Sequence, residues 1–364
     1  MQTIYNGICS LQEAIKGSKK ILLVTDSSYN FLNIKDDIED ICVPMIKFSD
    51  FTPNPLYEDV CKGVDVLNAE NCDTILAVGG GSSIDVAKCI KLYCKMSKKK
   101  LFLEQEYKDT GIKLIAIPTT AGTGSESTRY AVIYYDGKKQ SVTHDSIIPD
   151  VAILEPKVLK TLPLYQKKCT MLDAYCQGIE SWWSVNSTEE SKKLSKEVVE
   201  TITDWWYEYI FRNTEKANKA IMHAANLAGQ AISITQTTAP HAFSYKITSL
   251  YSLPHGHAVA IGLPEIWHYM YKHIDKSIDR RGKDYLYNIF DQISYAMGIT
   301  TGIPDAIMKF RQMLDILEIH KPESSNLISD FHILTTSVNP IRLRNNPVTL
   351  DDRAIKEIYE LIIR

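Results

Sequence analysis

The chain has 364 residues, enough for about two domains with a substantial core in each. An apolar share of 45% and a charged share of 23% are ordinary for a globular protein and exclude a disordered or fibrous chain. A net charge of -3 offers none of the concentrated basic surface that nucleic-acid binding requires.

The opening stretch MQTIYNGICSLQEAIKGSKK lacks the apolar centre of a signal peptide, and no apolar run reaches membrane-spanning length, so a cytoplasmic protein without membrane contact is expected. Short β-branched runs then alternate with helical stretches, the pattern of parallel strands joined by crossover helices. ILLVTD (21–26) predicts a strand ending in an acid, and VPMIKF (43–48) a second strand. FTPNP (51–55) is a turn, followed by an amphipathic helix from Tyr57 to Ala69. In TILAVGGGSSIDVAKCIKLYCK (74–95) an apolar strand meets three glycines and then a helix. Lys98, Lys99 and Lys100 form a solvated loop tip before the strand KLIAIP (113–118), which leads into TTAGTGSES. RYAVIYYDGKKQSVTH (129–144) predicts a hairpin turning at Asp136-Gly137, and VAILEP (151–156) closes the β-rich part.

From about Leu159 the periodicity is helical, as in SKKLSKEVVETITDWWYEYI and NKAIMHAANLAGQAISI, with Ser187 and Glu190 spaced as a capping box. This change places a boundary between residues 1–158 and 159–364. The expected fold is an α/β dinucleotide-binding domain with a Rossmann-like parallel sheet, then an all-α domain, with a ligand cleft between them. The eight cysteines all precede position 177 and form no CxxC pair, which fits buried, reduced thiols. Because secretion is not expected, the glycosylation pattern Asn186-Ser187-Thr188 is expected to be empty.

Glycines after a strand let a backbone approach a pyrophosphate, and the amides opening the next helix supply donors. Gly79, Gly80, Gly81 and Ser82 suit that role, although they depart from GxGxxG and also suit a plain tight turn. PTTAGTGSE (118–126) places more hydroxyls and glycines after a strand, where a doubly wound sheet binds its ligand. A carboxylate at Asp26 accepts from a ribose 2'-hydroxyl and repels a 2'-phosphate, which favours NADH while leaving NADPH possible.

PHAFSYKITSLYSLPHGHA (240–258) carries three of the nine histidines. Pro254 prevents a single helix from running through His241 and His255, so only tertiary packing brings them together. Two imidazoles holding a metal need further donors, and Asp173 and Gln177, four apart in MLDAYCQGIES, share a helical face. By residue type this set fits Zn or Fe(II); it equally fits ordinary hydrogen-bonded histidines and an acid on an exposed helix.

VTD (24–26), FTPNP, AVGGGSSIDVAK (77–88), IPTTAGTGSE (117–126), PDVAILEP (149–156), LDAYCQGIE (172–180), PHG (254–256) and NNPVTLDD (345–352) occur in this order. Through them the chain resembles, over essentially its whole length, the iron-containing, or group III, alcohol dehydrogenases. The resemblance implies the dehydroquinate synthase-like fold of that family and a homodimer or larger homo-oligomer. It implies cofactor contacts at Asp26, Asn54, Gly79, Gly80, Gly81, Ser82, Asp85, Thr119, Thr120, Thr123 and Lys139, and Fe2+ or Zn2+ held by Asp173, His241 and His255. Gln177 stands where many relatives carry a ligating histidine, and an amide oxygen is a weaker donor. Tyr245 stands where many carry a second histidine beside the nicotinamide, so proton delivery is expected through Tyr245, His257, water or the cofactor ribose.

TTAPHAFSYKITSLYSLPHGHAVAI together with DAYCQGIESWWSVNST is most similar to the phosphonoacetaldehyde reductase branch of the family. A phosphonate dianion needs cationic donors, for which Arg129 and Lys246 are the candidates, with His257 assisting. Lys246 also reads as an exposed helix residue, and Arg129 as the partner of a neighbouring acid. The implied function is a metal-dependent, NAD(P)H-linked reduction of a small aldehyde, phosphonoacetaldehyde to 2-hydroxyethylphosphonate. Three alternatives stand beside it: a broad alcohol dehydrogenase on small neutral aldehydes or diols, a nucleotide-binding protein that has lost its metal chemistry, and a lyase or synthase such as a dehydroquinate synthase.

Overall fold

Strands covered on both faces lose polar alternation, and ILLVT, TILAVG and KLIAIP are of this kind. In the computed structural model, which describes residues 2–338 and 340–364, these runs form the interior of a six-stranded sheet. The strands are β1 (Thr3–Asn6), β2 (Ile21–Thr25), β3 (Met45–Phe48), β4 (Thr74–Gly79), β5 (Lys113–Pro118), β6 (Tyr130–Tyr135), β7 (Lys138–Thr143) and β8 (Val151–Leu154). The sheet order is β1-β8-β5-β4-β2-β3, and every pairing in it is parallel. Helices α1 (Leu11–Ala14), α2 (Lys35–Glu39), α3 (Tyr57–Ala69) and α4 (Gly81–Tyr93) lie among these strands in sequence.

The chain adds β3 on one side of β2 and then returns to place β4 on the other. The carboxyl ends of β2 and β4 therefore flank a topological switch point, the usual ligand position in such sheets. β6 and β7 form the expected separate hairpin, and Asp136 (φ 50°) and Gly137 (φ 67°) give its turn the two positive φ values of type I'. Strand β1 has no counterpart in the sequence reading. It is a four-residue, largely exposed edge strand, recognisable only by its register with β8, Thr3 opposite Val151.

The remaining helices are α5 (Leu164–Trp183), α6 (Glu189–Tyr207), α7 (Glu215–Thr235), α8 (Ala239–Tyr251), α9 (His255–Lys272), α10 (Lys283–Ala296), α11 (Ile303–Ile316), α12 (Leu327–Ser337), α13 (Pro340–Leu343) and α14 (Asp352–Ile362). The chain divides into two compact units, Met1–Leu162 with Asn213–Gly229, and Pro163–Arg212 with Gln230–Arg364. The excursion of 213–229 into the first unit is held by a bare backbone crossing. A Cβ built on Gly124 would lie 2.3 Å from the Cα of Gly229. Beside this crossing, Asn226 Nδ2 donates to Glu126 Oε1 (3.1 Å) and Ser127 Oγ (2.7 Å).

In the second unit α5 is the buried axis, since every residue from Lys167 to Trp183 is buried, and α6, α9 and α10 pack against it. The cap of α6 lies one residue later than the spacing predicts. Thr188 Oγ1 accepts from Ser191 N and Ser191 Oγ accepts from Thr188 N, while Ser187 Oγ is taken by Arg281. The cysteines are free thiols as expected, but Cys9 and Cys42 are exposed rather than buried. Among the described residues no helix is long and apolar enough to cross a membrane.

Candidate functional site

The first unit builds a polar, glycine-lined end to its sheet. At Gly79 a Cβ would lie 2.3 Å from Ser83 Oγ, and at Gly81 it would press on Thr123 at 3.0 Å. The two glycines thus keep bare backbone where β4 turns into α4, with Gly80 as the helix cap. Asp26 is fixed beside this turn: one carboxylate oxygen accepts from Ser28 N (2.8 Å) and the other from Ser83 Oγ (2.9 Å). Thr119 is tied to the turn through its N–H, which donates to Gly79 O (3.0 Å), and Thr123 Oγ1 accepts from Ser125 N (3.2 Å). The Thr120 hydroxyl lies 3.7 Å from where a Gly80 Cβ would be.

Asp85 stands differently from the other predicted cofactor contacts. Its oxygens accept from Ser125 Oγ (2.6 Å) and Val132 N (2.9 Å), so it shapes the loop between β5 and β6. Lys88 anchors the same loop from within the core, donating to Thr128 O (2.7 Å), Thr128 Oγ1 (3.0 Å) and Tyr130 O (2.7 Å). Burial pushes its ammonium down to about 8 against the pull of Asp85 and Glu126. Asn54 adopts a left-handed conformation (φ 58°) in the turn before α3. The adjoining Pro55 O accepts from Tyr134 N (2.8 Å), and Tyr134 pairs with Lys139 across the hairpin, which places Asn54 and Lys139 in one neighbourhood. Arg129 forms an ion pair with Asp145 (3.3 Å) and lies over the Tyr130 ring.

The second unit brings together three residues from three helices: Asp173 of α5, His241 of α8 and His255 of α9. One ligand atom from each lies within 4.8 Å of the others. Asp173 Oδ1 is 3.3 Å from His241 Nε2. Two donors bound tetrahedrally at the usual nitrogen and oxygen distances to zinc stand about 3.4 Å apart, so this edge has the right length. The convergence has two local causes. Helix α8 ends at Tyr251 and α9 restarts after Pro254, so the two imidazoles, with centroids 5.2 Å apart, sit on separate helices. In addition, a Cβ on Gly256 would lie 2.0 Å from Cys169 O and 3.0 Å from Asp173 Cβ, so only glycine lets the start of α9 reach the backbone of α5.

The electrostatics favour positive charge at this point. Burial would raise the Asp173 carboxyl, yet the adjacent imidazoles of His241 and His255 and the Gln177 amide together hold it below its ordinary value. Burial would likewise depress His241, but the carboxylates of Glu180 and Asp173 raise it to about 9. The group is suited to a proton or to a divalent cation, which would replace that proton. Gln177, buried one turn beyond Asp173, is a neighbour of that carboxylate as well as a potential oxygen donor. Glu180, three residues further along the same face, bonds His241 Nδ1 and has no place in the residue-type reasoning. Its spacing of seven from Asp173, two helical turns, was the available signal.

The Tyr245 ring stacks on His255, with centroids 5.9 Å apart and planes 7° from parallel. Lys246 follows it on α8, half-buried. His257, the other side chain named for proton delivery, has both ring nitrogens bonded: Nε2 to His320 O (2.7 Å) and Nδ1 to Tyr165 Oη (2.8 Å). Burial lowers its pKa. Its ring joins three segments and has no nitrogen left over for substrate.

Comparison with known proteins matches residues 6–156 to the family described as iron-containing alcohol dehydrogenase. Residues 168–363 match the C-terminal region of the Fe-containing alcohol dehydrogenase family. The chain is 31% identical over 279 residues to aldehyde-alcohol dehydrogenase 2 of Entamoeba histolytica, covering 70% of this chain but only 32% of that longer protein. It is 29% identical over 253 residues to phosphonoacetaldehyde reductase of Streptomyces viridochromogenes, covering 64% of this chain and 62% of the relative. In fold it is similar to an iron-containing alcohol dehydrogenase from Thermococcus thioreducens, with TM-score 0.89, 24% identity and coverage of 99% and 97% of the two chains.

Proposed function

The chain belongs to the iron-containing alcohol dehydrogenase family, and on that premise we propose that it is an NADH-preferring, metal-dependent reductase of phosphonoacetaldehyde, forming 2-hydroxyethylphosphonate. The observation that carries the metal-dependent part is the approach of Asp173, His241 and His255 to within ligand distance of one another. Asp173, His241 and His255 would hold a divalent ion that would supply Lewis acidity, and the first unit would hold the NADH that would supply the hydride equivalent for the reduction. The protein's own work is to bind, orient and protonate. The bare backbone at Gly79 to Gly81 and the amides opening α4 would receive the pyrophosphate, while Asp26 would accept from the ribose 2'-hydroxyl. Tyr245 Oη is the side-chain group assigned to the alkoxide's proton, because its ring lies against His255.

Asp26→Ser is expected to reverse the cofactor preference by removing the charge that repels a 2'-phosphate. The kcat/KM ratio for NADPH over NADH should rise about tenfold or more, since about 1.4 kcal/mol of relieved repulsion is a factor of ten. Unchanged ratios would detach Asp26 from ribose recognition.

The phosphonate reading is supported by the Streptomyces relative and by Lys246, a half-buried cation next to Tyr245 on α8. Arg129 is the weaker candidate because Asp145 already neutralises it. Steady-state kinetics with phosphonoacetaldehyde, propanal and lactaldehyde test the assignment. A charge-assisted bond contributes about 1.5–3 kcal/mol, so kcat/KM for the phosphonate should exceed that for propanal by roughly 10- to 150-fold. Lys246→Met should erase most of that advantage without slowing propanal. Equal turnover of all three aldehydes would leave a reductase of broad substrate range.

A further inference from the structure

Glu180 is fully buried, and both of its carboxylate oxygens are directed at the start of helix α8. One oxygen accepts from the backbone N–H of Thr238 (2.7 Å) and from Thr238 Oγ1 (2.9 Å). That hydroxyl in turn accepts from Trp183 Nε1 (2.9 Å), which leaves its own proton for Glu180. Thr238 caps α8, and His241 is the third residue of the helix. The second oxygen of Glu180 closes a short hydrogen bond with His241 Nδ1.

The donors around this carboxylate determine the histidine's tautomer. A backbone N–H can only donate, and the Thr238 hydroxyl already accepts from an indole that can only donate. Glu180 is thus an acceptor on the Thr238 side, and as a carboxylate it is an acceptor toward His241 as well. The proton of the neutral imidazole is held on Nδ1. The Nε2 lone pair then points toward Asp173 Oδ1, 3.3 Å away, where a cation would lie between them. Charge counting adds a second reason. Gln177, His255 and neutral His241 contribute nothing, so Asp173 alone cannot neutralise a divalent ion, whereas Asp173 and Glu180 together can.

We propose that Glu180 is a positioning residue for the metal, fixing the tautomer and ring direction of His241 and supplying the second negative charge of a donor set that contains a neutral glutamine. The proposal rests on the metal reading above and extends it to a residue that would not touch the ion. Carboxylate partners of ligating histidines typically account for about 10- to 100-fold in metal affinity.

The test compares full-length wild type with Glu180→Gln, each stripped of metal and titrated with Zn2+ against a chromophoric chelator, then with Co2+ while its d–d absorption is recorded. The expected result is a zinc affinity about 10- to 100-fold weaker in the variant together with an altered cobalt spectrum, which a merely structural role would leave in place. Equal affinity and an identical spectrum would overturn the proposal. Wild type that takes up neither ion would instead overturn the metal reading itself, so the two failures are distinct. Should Glu180→Gln fail to fold, long-range 15N–1H correlation on zinc-loaded wild type decides the question. His241 protonated on Nδ1 with metal on Nε2 supports the assignment, and the reverse tautomer overturns it.

Discussion

Asp173→Ala is expected to lower kcat/KM for aldehyde reduction by about 10³ or more while NADH binding is unchanged. Lewis-acid polarisation contributes several kcal/mol to such a reaction, and about 4 kcal/mol corresponds to a factor near 10³. Asp173 is the anionic member of the ligand group, and its removal leaves two imidazoles around a site whose remaining charge, on Glu180, faces the far side of His241. The cofactor residues, by contrast, belong to the other compact unit and should titrate normally. Steady-state assays, metal content and NADH fluorescence titration on the same preparation check all three parts. Chelation of wild type should reproduce the loss, with activity returning on addition of Fe2+ or Zn2+, whereas the variant should not recover. Full activity in a metal-free Asp173→Ala protein would end the metal-dependent reading.

Gly256→Ala should have the largest effect on stability of any single methyl group near the site. Its Cβ would stand 2.0 Å from the carbonyl oxygen of Cys169, and that atom belongs to the backbone of the buried helix α5, which cannot rotate aside. Overpacking of a well-filled interior costs about 1–3 kcal/mol, and a clash with helical backbone lies at the upper end of that range or beyond. At roughly 2–4 °C per kcal/mol for a unit of this size, the melting temperature should fall by about 6–12 °C. The shift must also move His255, the first residue of α9, away from Asp173, so zinc affinity should fall with stability. Gly262→Ala in the same helix is the control. Its Cβ would meet Ile362 at 3.6 Å, an ordinary contact, and an alanine within a helix gains about 0.5–1 kcal/mol over glycine. If both variants melt alike, the close approach of α9 to α5 is not what assembles the site.

The contrast between these glycines shows where sequence reasoning reaches its limit. PHG is legible as a motif, but nothing in three letters says that the glycine is pressed against another helix 83 residues away in numbering, at Asp173. The strand–glycine–helix unit at 74–93 was legible because its cause is local: an apolar run, a turn that needs bare backbone, and helical periodicity all lie within twenty residues. Strand β1 was not, since a short exposed edge strand carries no periodic signal of its own. Ser187 and Glu190 have capping-box spacing, yet Arg281 draws Ser187 away and Thr188 caps α6 with Ser191 instead.

By itself the sequence determined the alternation of the first half, the break to helices near residue 160, the helix stop at Pro254 and the residue types from which a metal and dinucleotide chemistry can be made. Those properties depend on neighbours along the chain, through sterics, hydrogen bonding of the local backbone and the spacing of apolar side chains. Tertiary structure alone decided that residues 213–229 join the first unit, that Asp173, His241 and His255 face one another, that His257 is consumed by Tyr165 and His320, and that Glu180 stands behind His241. Each of these outcomes depends on how helices pack across long separations, and that packing is set by close backbone contacts and buried polar pairings whose partners are not adjacent in the chain.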